Sequence, residues 1–438
     1  MTIYDAYRYE STHTCKNPKR ERKPFSDVVV FSFPTPLLVF PLTHYTTNTQ
    51  IRHVVIITPM LVIAVALSVF YMAMVLYYFI GWLRIKKAPE RNSADSGLPF
   101  VSVIIPVRNE ENHIKNCLEA VFKQQYPTHL FEVIVIDDYS TDNTLALARD
   151  FNRGNLLVLD LQQYLGKPGE YSPNKKKAIA LGVKNARGSL ILTTDGDCYT
   201  QELWLRSMTD YYQANQFKLI TGPVMIKPAK DPMAWFQQLD VVNMAGITGA
   251  TIRNGAPTMC NGANLMYAKK TFVEVEGFKG NHEVPTGDDI FLMHKIDAHY
   301  PDAIGYVKNF DACVFTKPES TFSSFIAQRV RWVSKSKGFG NWKSTSVLVF
   351  AWLFNLYIII AALAVLQPQE QSWLPLAVAG GTKLVTDLLF DIPVTYFFHK
   401  IILLLLLPVI EIFHVFYVVV IGALSLSGRY RWKDRLIK

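Results

Sequence analysis

The chain has 438 residues, half of them hydrophobic, and a formal net charge of +9. That is enough for one large domain, or for one domain with membrane segments, and the charge fits a solvated basic surface or one that faces a membrane or phosphates. Five cysteines (Cys15, Cys117, Cys198, Cys260 and Cys313) are odd in number and lack CxxC spacing, which argues against a disulfide framework or a zinc site and for reduced, packed thiols.

No element is assigned to residues 1–53. From Val54 to Leu83 the chain carries no charge. About 20 apolar residues cross a bilayer as a helix, so residues 54–84 are predicted as a transmembrane helix. Arg84, Lys86 and Lys87 follow at once, which puts that end on the cytoplasmic side. The run is too long and too far from Met1 for a cleaved signal peptide. The basic stretch Lys16 to Lys23 then falls outside, against the positive-inside tendency, and a translation start at Met60 would remove the conflict.

After a polar linker, Lys86 to Gly97, strands and helices alternate. PFVSVIIPV, FEVIVIDD, NLLVLDL and SLILTT are predicted strands. EENHIKNCLEAVFKQQ, Thr141 to Phe151 and NKKKAIALGVKNA are predicted helices between them, the first with Ile114, Leu118, Val121 and Phe122 on one face. Repeated strand–helix–strand units predict an α/β fold, a mostly parallel sheet with helices on both faces, over residues 98–345. Ligands bind such sheets at the carboxyl ends of the strands. The motifs PVRNE, DDYSTD and DGD all fall there.

Residues 346–427 turn apolar again. Val347 to Leu366 is a good span; Trp373 to Phe398 is weaker, carrying Lys383, Asp387 and Asp391; Ile401 to Leu426 contains Glu411 and His414. Ionisable groups at membrane depth usually face a bundle interior or a cavity, although Lys383 and Asp387, four apart, can pair along one helix. Two or three spans are compatible with this region. Three would leave the basic tail, residues 428–438, outside. There is no internal repeat and no low-complexity tract.

Asp195 and Asp197 flank a glycine at a strand end, where two carboxylates can share a hard divalent cation with substrate phosphates. The simpler reading is a turn with local hydrogen bonds. A calcium loop is disfavoured by Tyr199 and Thr200. Asp137 and Asp138 end another strand and can accept hydrogen bonds from a base or ribose. Lys175, Lys176 and Lys177 supply cations at a helix start, or simply a solvated helix end.

In order, VSVIIPVRNEE, VIVIDDYSTDNT, KKAIALGVKNARG and LILTTDGDC resemble the nucleotide-binding half of family 2 glycosyltransferases, with their GT-A-type fold. GDDIFL resembles the motif that supplies the catalytic base, and QRVRW the Q-x-x-R-W signature of membrane-bound, often processive members that build polysaccharides. The resemblance covers about residues 98–345. It implies an inverting transfer from a nucleotide diphosphate sugar, usually UDP-linked, to a glycan or lipid acceptor. Pro106, Val107, Glu110, Asp137, Lys177 and Asp195 would bind the donor, Asp195 and Asp197 a Mg²⁺ or Mn²⁺. Asp289 would be the base, with Asp288 where the family usually has Glu. TMCNGAN, Thr258 to Asn264, resembles the acceptor-side segment.

On a helix, Gln328, Arg331 and Trp332 share one face. A guanidinium can grip a diphosphate and an indole can support a sugar ring. The same residues would also suit a helix lying at headgroup level. The expected setting is a bacterial inner (plasma) membrane with the catalytic domain cytosolic and no nucleic-acid partner. A haloacid-dehalogenase-like phosphotransferase is the rival enzyme. Lys383, Asp387, Asp391 and Glu411 as a polar pathway would suit a transporter or scaffold.

Overall fold

The computed structural model describes residues 38–43, 52–86, 97–166, 174–280, 287–334, 342–366, 373–426, 430–432 and 435–437. Cys15, the basic run Lys16 to Lys23, most of the Lys86–Gly97 linker and much of the tail lie outside them.

The chain divides into two compact units at Pro59. In the first, β1 (Leu38–Thr43) pairs antiparallel with β2 (Arg52–Ile57), Leu38 opposite Ile57. The predicted transmembrane helix therefore does not begin at Val54. The β-branched run Val54 to Ile57 lies in a strand, and α1 spans Pro59–Arg84. Proline lacks the N–H a strand ladder uses and is well placed in the first helical turn.

The second unit is built on β3 (Val101–Val107), α2 (Ile114–Phe122), β4 (Phe131–Asp137), α3 (Thr144–Asp150), β5 (Leu156–Asp160), α4 (Leu161–Leu165), α5 (Lys175–Asn185) and β6 (Leu190–Thr193). Apart from a helix at QRVRW, the sequence motifs assign no elements to the next stretch. It holds β7 (Tyr199–Thr200), α6 (Trp204–Asn215), β8 (Leu219–Thr221), β9 (Val224–Ile226), α7 (Pro232–Arg253), β10 (Leu265–Ala268), α8 (Lys269–Glu274), α9 (Asp288–His299), β11 (Ile304–Tyr306), β12 (Val314–Thr316) and α10 (Phe322–Ser334). The main sheet runs β11-β8-β10-β6-β3-β4-β5, parallel except for β10. A small sheet, β7-β12-β9, stands beside it.

Strand side chains alternate between two cores. Ile104, Ile134, Ile136 and Ile191 pack into one, Val103, Ile105, Val133, Val135 and Leu192 into the other. A parallel sheet covered on both faces accounts for strands that are apolar throughout. The first core continues into the aromatic side chains of α1, α11 (Trp342–Ala364) and α12 (Leu374–Phe397). α13 (Leu407–Ser425) follows a six-residue 3₁₀ turn. The short strands β13 (Tyr430–Trp432) and β14 (Arg435–Ile437) end the described chain.

Three helical segments, Pro59–Arg84, Thr345–Ala364 and Ile401–Ser425, are long and apolar enough to cross a membrane. α12 is a 24-residue helix that carries three charged side chains. Two of them form a network with α1 and α13. Lys383 Nζ lies 2.5 Å from both Asp387 Oδ2 and Glu411 Oε2, and Tyr71 Oη donates to Asp387 Oδ1 at 2.6 Å. The Lys383–Asp387 pairing expected along one helix is present, and it also ties α12 to α1 and α13.

Candidate active site

The site forms where β6 leaves the sheet. β6 pairs with β3 only as far as Ile104, whose carbonyl accepts from Thr194 N–H at 3.2 Å. Pro106, next on that side of β3, has no N–H to donate and needs none there. Beyond it the Asp195–Gly196–Asp197 loop crosses β3. A Cβ on Gly196 would come within 2.7 Å of Val107 Cγ1 and 3.3 Å of Glu110 Cγ, so only glycine lets the loop pack so closely. Pro106, Val107 and Glu110 thus lie under or beside the paired acids.

The loops after β3 and β4 are laced together. Arg108 Nη1 donates to the carbonyls of Asp138 (2.7 Å) and Tyr139 (3.0 Å). Asn109 N–H donates to Ser140 Oγ, and Glu110 N–H to Thr144 Oγ1. Asn109 and Tyr139 hold left-handed backbones (φ 51° and 58°), a local cost this lacing supports. Asp137 accepts from Ser140 N–H at 2.9 Å through Oδ2. Its Oδ1 is buried with no hydrogen-bond partner among the described residues. Burial, which outweighs the Ser140 bonds, pushes its pKa up. A buried acceptor at a strand end is suited to a ligand's donor.

Three lysines open α5 and each has a different place. Asn174 caps the helix, its Oδ1 accepting from Lys177 N–H at 3.0 Å. Lys176 is fully buried, its ammonium 5.7 Å from the Phe291 ring centroid. The Lys175 ammonium reaches the acids: it lies 2.5 Å from Asp195 Oδ1 and 3.9 Å from Asp288 Oδ2. Burial opposes its charge, but Asp195 and Asp288 more than offset this and hold its pKa above the usual lysine range.

Asp288 and Asp289 open α9. Asp288 is buried and Asp289 half-buried. Asp289 Oδ1 accepts from Ile290 N–H at 2.9 Å and Oδ2 from Gly262 N–H at 3.1 Å. Gly262 is the hinge of the cluster: a Cβ on it would stand 3.2 Å from Asp288 Oδ2 and 3.5 Å from both Asp289 Cβ and Lys175 Nζ. Its carbonyl accepts from Thr193 Oγ1 at 2.7 Å. In the same segment Asn264 is fully buried, bonded to Trp204, Pro223 and Ala312, and serves packing. The sequence singles out the KKK run and the TMCNGAN segment, but only the contacts of Lys175 and Gly262 mark these two as members of the acid cluster.

The donor set suits a hard cation. Asp195 and Asp197 offer carboxylate oxygens; Cys117 and Cys198 lie close by, but burial, and then the charges of Asp197 and Asp195, push both thiols up and keep them protonated. Thr316 Oγ1 donates to Asp197 Oδ2 at 3.4 Å. No group of three or more His, Cys, Asp or Glu side chains forms a metal cage among the described residues. Two carboxylates completed by substrate phosphates is the arrangement Mg²⁺ usually takes.

QRVRW is helical as expected, within α10. Gln328 Nε2 donates to Glu319 Oε1 at 2.7 Å. Between Gln328 and Arg331 lies Arg329, 1% exposed, which ion-pairs with Asp240 of α7 at 2.6 Å. Its guanidinium lies 4.1 Å from the Trp332 ring centroid. The half-buried Trp332 is thus held from below by Arg329.

Residues 102–274 match the family described as Glycosyl transferase family 2. Glycosyltransferase AglE of Haloferax volcanii is 32% identical over 209 residues, covering 47% of this chain and 64% of that protein. The dolichyl N-acetyl-α-D-glucosaminyl phosphate 3-β-D-2,3-diacetamido-2,3-dideoxy-β-D-glucuronosyltransferase of Methanococcus voltae is 31% identical over 121 residues, 26% of this chain and 34% of that protein. The chain spans less than two thirds of either relative. The solved mannosyltransferase PcManGT from Pyrobaculum calidifontis, in complex with GDP-Man and Mn²⁺, is similar with a TM-score of 0.50 at 16% identity, over 84% of this chain and 97% of that one. The fold is shared.

Proposed function

We propose that the protein, whose residues 102–274 match Glycosyl transferase family 2, is an inverting glycosyltransferase. It moves a sugar from a nucleotide diphosphate sugar, UDP-linked by the resemblance of its motifs, to a lipid-linked or polysaccharide acceptor at a membrane. The observation that carries this is the convergence of two acid pairs from distant segments: Lys175 touches Asp195 and approaches Asp288, and Gly262 adjoins Asp288 and Asp289.

Asp137 Oδ1 accepts a hydrogen bond from the nucleoside. Lys175 turns its ammonium to the donor phosphates. Asp195 and Asp197 would hold a Mg²⁺ or Mn²⁺, which would supply positive charge against the leaving nucleotide diphosphate. Asp289, oriented by two backbone N–H groups, takes the proton of the acceptor hydroxyl as that oxygen attacks the anomeric carbon from the face opposite the leaving group. Trp332 supports the acceptor ring and Arg331 the diphosphate. The basic flank at Arg84 and Lys86 favours a plasma membrane with this domain in the cytoplasm.

The test is diphosphate release from a panel of UDP- and GDP-sugars by detergent-solubilised full chain. Turnover is expected to require metal, to vanish in Asp197→Ala and to fall severely in Asp195→Ala. Near-normal turnover of both variants in chelator overturns the metal assignment. Inorganic phosphate released without a sugar product overturns glycosyl transfer in favour of the phosphotransferase.

A further inference from the structure

At the carboxyl end of α1, charge and apolar surface meet again, among residues that are not part of the acid cluster. Tyr77, Ile80 and Arg84 of α1, with Arg253 and Asn254 at the end of α7, line a cavity of about 470 Å³. The helices meet tightly here because Gly81 has no side chain: a Cβ would stand 2.6 Å from Asn254 Nδ2 and 2.7 Å from the Ala250 carbonyl oxygen. Asn254 Nδ2 donates to the Tyr77 carbonyl and Arg253 Nε to the Arg84 carbonyl, both at 2.9 Å. Lys308 Nζ donates to the Trp82 carbonyl at 2.9 Å. Two of these donors, Arg253 and Lys308, cap the last turn of α1, the negative end of its dipole, and Asn254 ties down the helix two turns earlier.

Arg84 and Arg253 both line this cavity, and the bond to the helix end orients Arg253. Arg253 spends only Nε on the helix end. Neither Arg84 nor Arg253 ion-pairs with a carboxylate among the described residues. Two planar, permanently charged forks lining one cavity are matched to phosphate geometry. The remaining wall is of a different kind. Tyr77 and Ile80 are each 43% exposed, on the outer face of a helix apolar enough to cross a membrane. A soluble anion has no use for that wall, and an uncharged lipid has no use for the two arginines. A basic pocket at the cytoplasmic end of a spanning helix suits an anionic headgroup.

We propose that this cavity binds the phosphate of a membrane lipid between Arg84 and Arg253, with the start of its chain along Tyr77 and Ile80. The site shares no residue with the acid cluster, and the proposal rests on α1 lying in a bilayer rather than on glycosyl transfer.

The experiment measures lipid binding to the full chain in neutral detergent by native mass spectrometry. Phosphatidylglycerol, a polyprenyl phosphate, phosphatidylcholine and glycerol 3-phosphate are compared. The wild type should bind one or both anionic lipids, and Arg84→Gln/Arg253→Gln should bind them about tenfold or more weakly, the usual worth of one charged hydrogen bond. A preference for phosphatidylglycerol identifies a phosphodiester headgroup, a preference for the polyprenyl phosphate a monoester. Arg84→Gln alone keeps the backbone carbonyl that Arg253 needs, so its own loss of affinity supports the site without disturbing the helix contact. Unchanged affinity in the double variant, or equally strong binding of phosphatidylcholine or glycerol 3-phosphate, overturns the proposal. Nucleotide-sugar binding is followed alongside and should stay at the wild-type level, which separates failure of this site from failure of the transferase reading.

Discussion

The Lys175 ammonium lies 2.5 Å from Asp195 Oδ1, so a side chain from the start of α5 closes over the acid loop that follows β6. Asp288 on α9 stands 3.9 Å from the same nitrogen. In the proposed reaction this cation serves the donor phosphates but competes with a metal for Asp195. Lys175→Gln should therefore weaken nucleotide-sugar binding by about 10–100-fold, as expected for a charged hydrogen bond. Metal binding without nucleotide should tighten. Calorimetric titration of each ligand reads the two effects separately. Weaker metal binding in the variant would count against the arrangement.

The two acids of α9 are not equivalent. Asp289 is half-buried with both oxygens oriented by backbone N–H groups, whereas Asp288 is buried on the Lys175 side. Asp289→Asn should keep donor and metal binding and lower the chemical step by about 10²–10⁴-fold, the usual worth of a positioned base. Asp288→Asn should be milder, and Asp288→Glu close to neutral. Single-turnover rates at saturating donor decide this, and a larger loss at Asp288 would move the base to that residue.

Lys383 is compensated by two carboxylates in the helical region, with its side chain 3% exposed. Lys383→Met would leave the largely enclosed Asp387 and Glu411 without their cation, and breaking a buried pair typically costs about 3–5 kcal/mol. Lys383→Met/Asp387→Asn/Glu411→Gln should recover much of that. Thermal unfolding in detergent measures both. A transport pathway through these residues predicts the reverse pattern: little loss of stability in the single variant.

Glu132 is a buried carboxylate on β4, far in sequence from its partners. Its Oε1 accepts from Ser102 Oγ and Arg187 N–H, both at 2.6 Å, and Oε2 from Arg187 Nε at 2.7 Å. Burial works to raise its pKa, but the Ser102 and Arg187 hydrogen bonds together hold it below the usual glutamate range. A lowered folded value stabilises fully above the unfolded value of about 4.3 and is lost as pH falls through the folded value. Glu132→Gln should be less stable than wild type at pH 7, and the difference should shrink below about pH 4.3. Unfolding midpoints at pH 7 and pH 3.5 check this; a gap that persists at low pH would mean packing, not charge, is what Glu132 supplies.

The sequence by itself determined the alternating α/β core, because apolar runs such as VSVIIPV and FEVIVID can be buried on both faces only in a parallel sheet. It also determined the apolar helices and the positions of the acid pairs, since strand ends and composition are local properties. Where local signals compete, structure decided. Val54 to Ile57 is as apolar as the helix that follows, and only pairing with Leu38–Thr43 makes it a strand. That Lys175 reaches the acid pairs depends on where Asn174 caps the helix, and on Asp195 and Asp288 arriving from other segments. Helical spacing groups Gln328, Arg331 and Trp332, yet Arg329 carries the stacking on Trp332 because Asp240 of α7 supplies its counter-charge. Hydrophobic period is written in neighbours along the chain, whereas charge compensation is made by residues that meet only once the chain has folded, and so the partners of Lys175, Arg329 and Lys383 were the part that tertiary structure alone could decide.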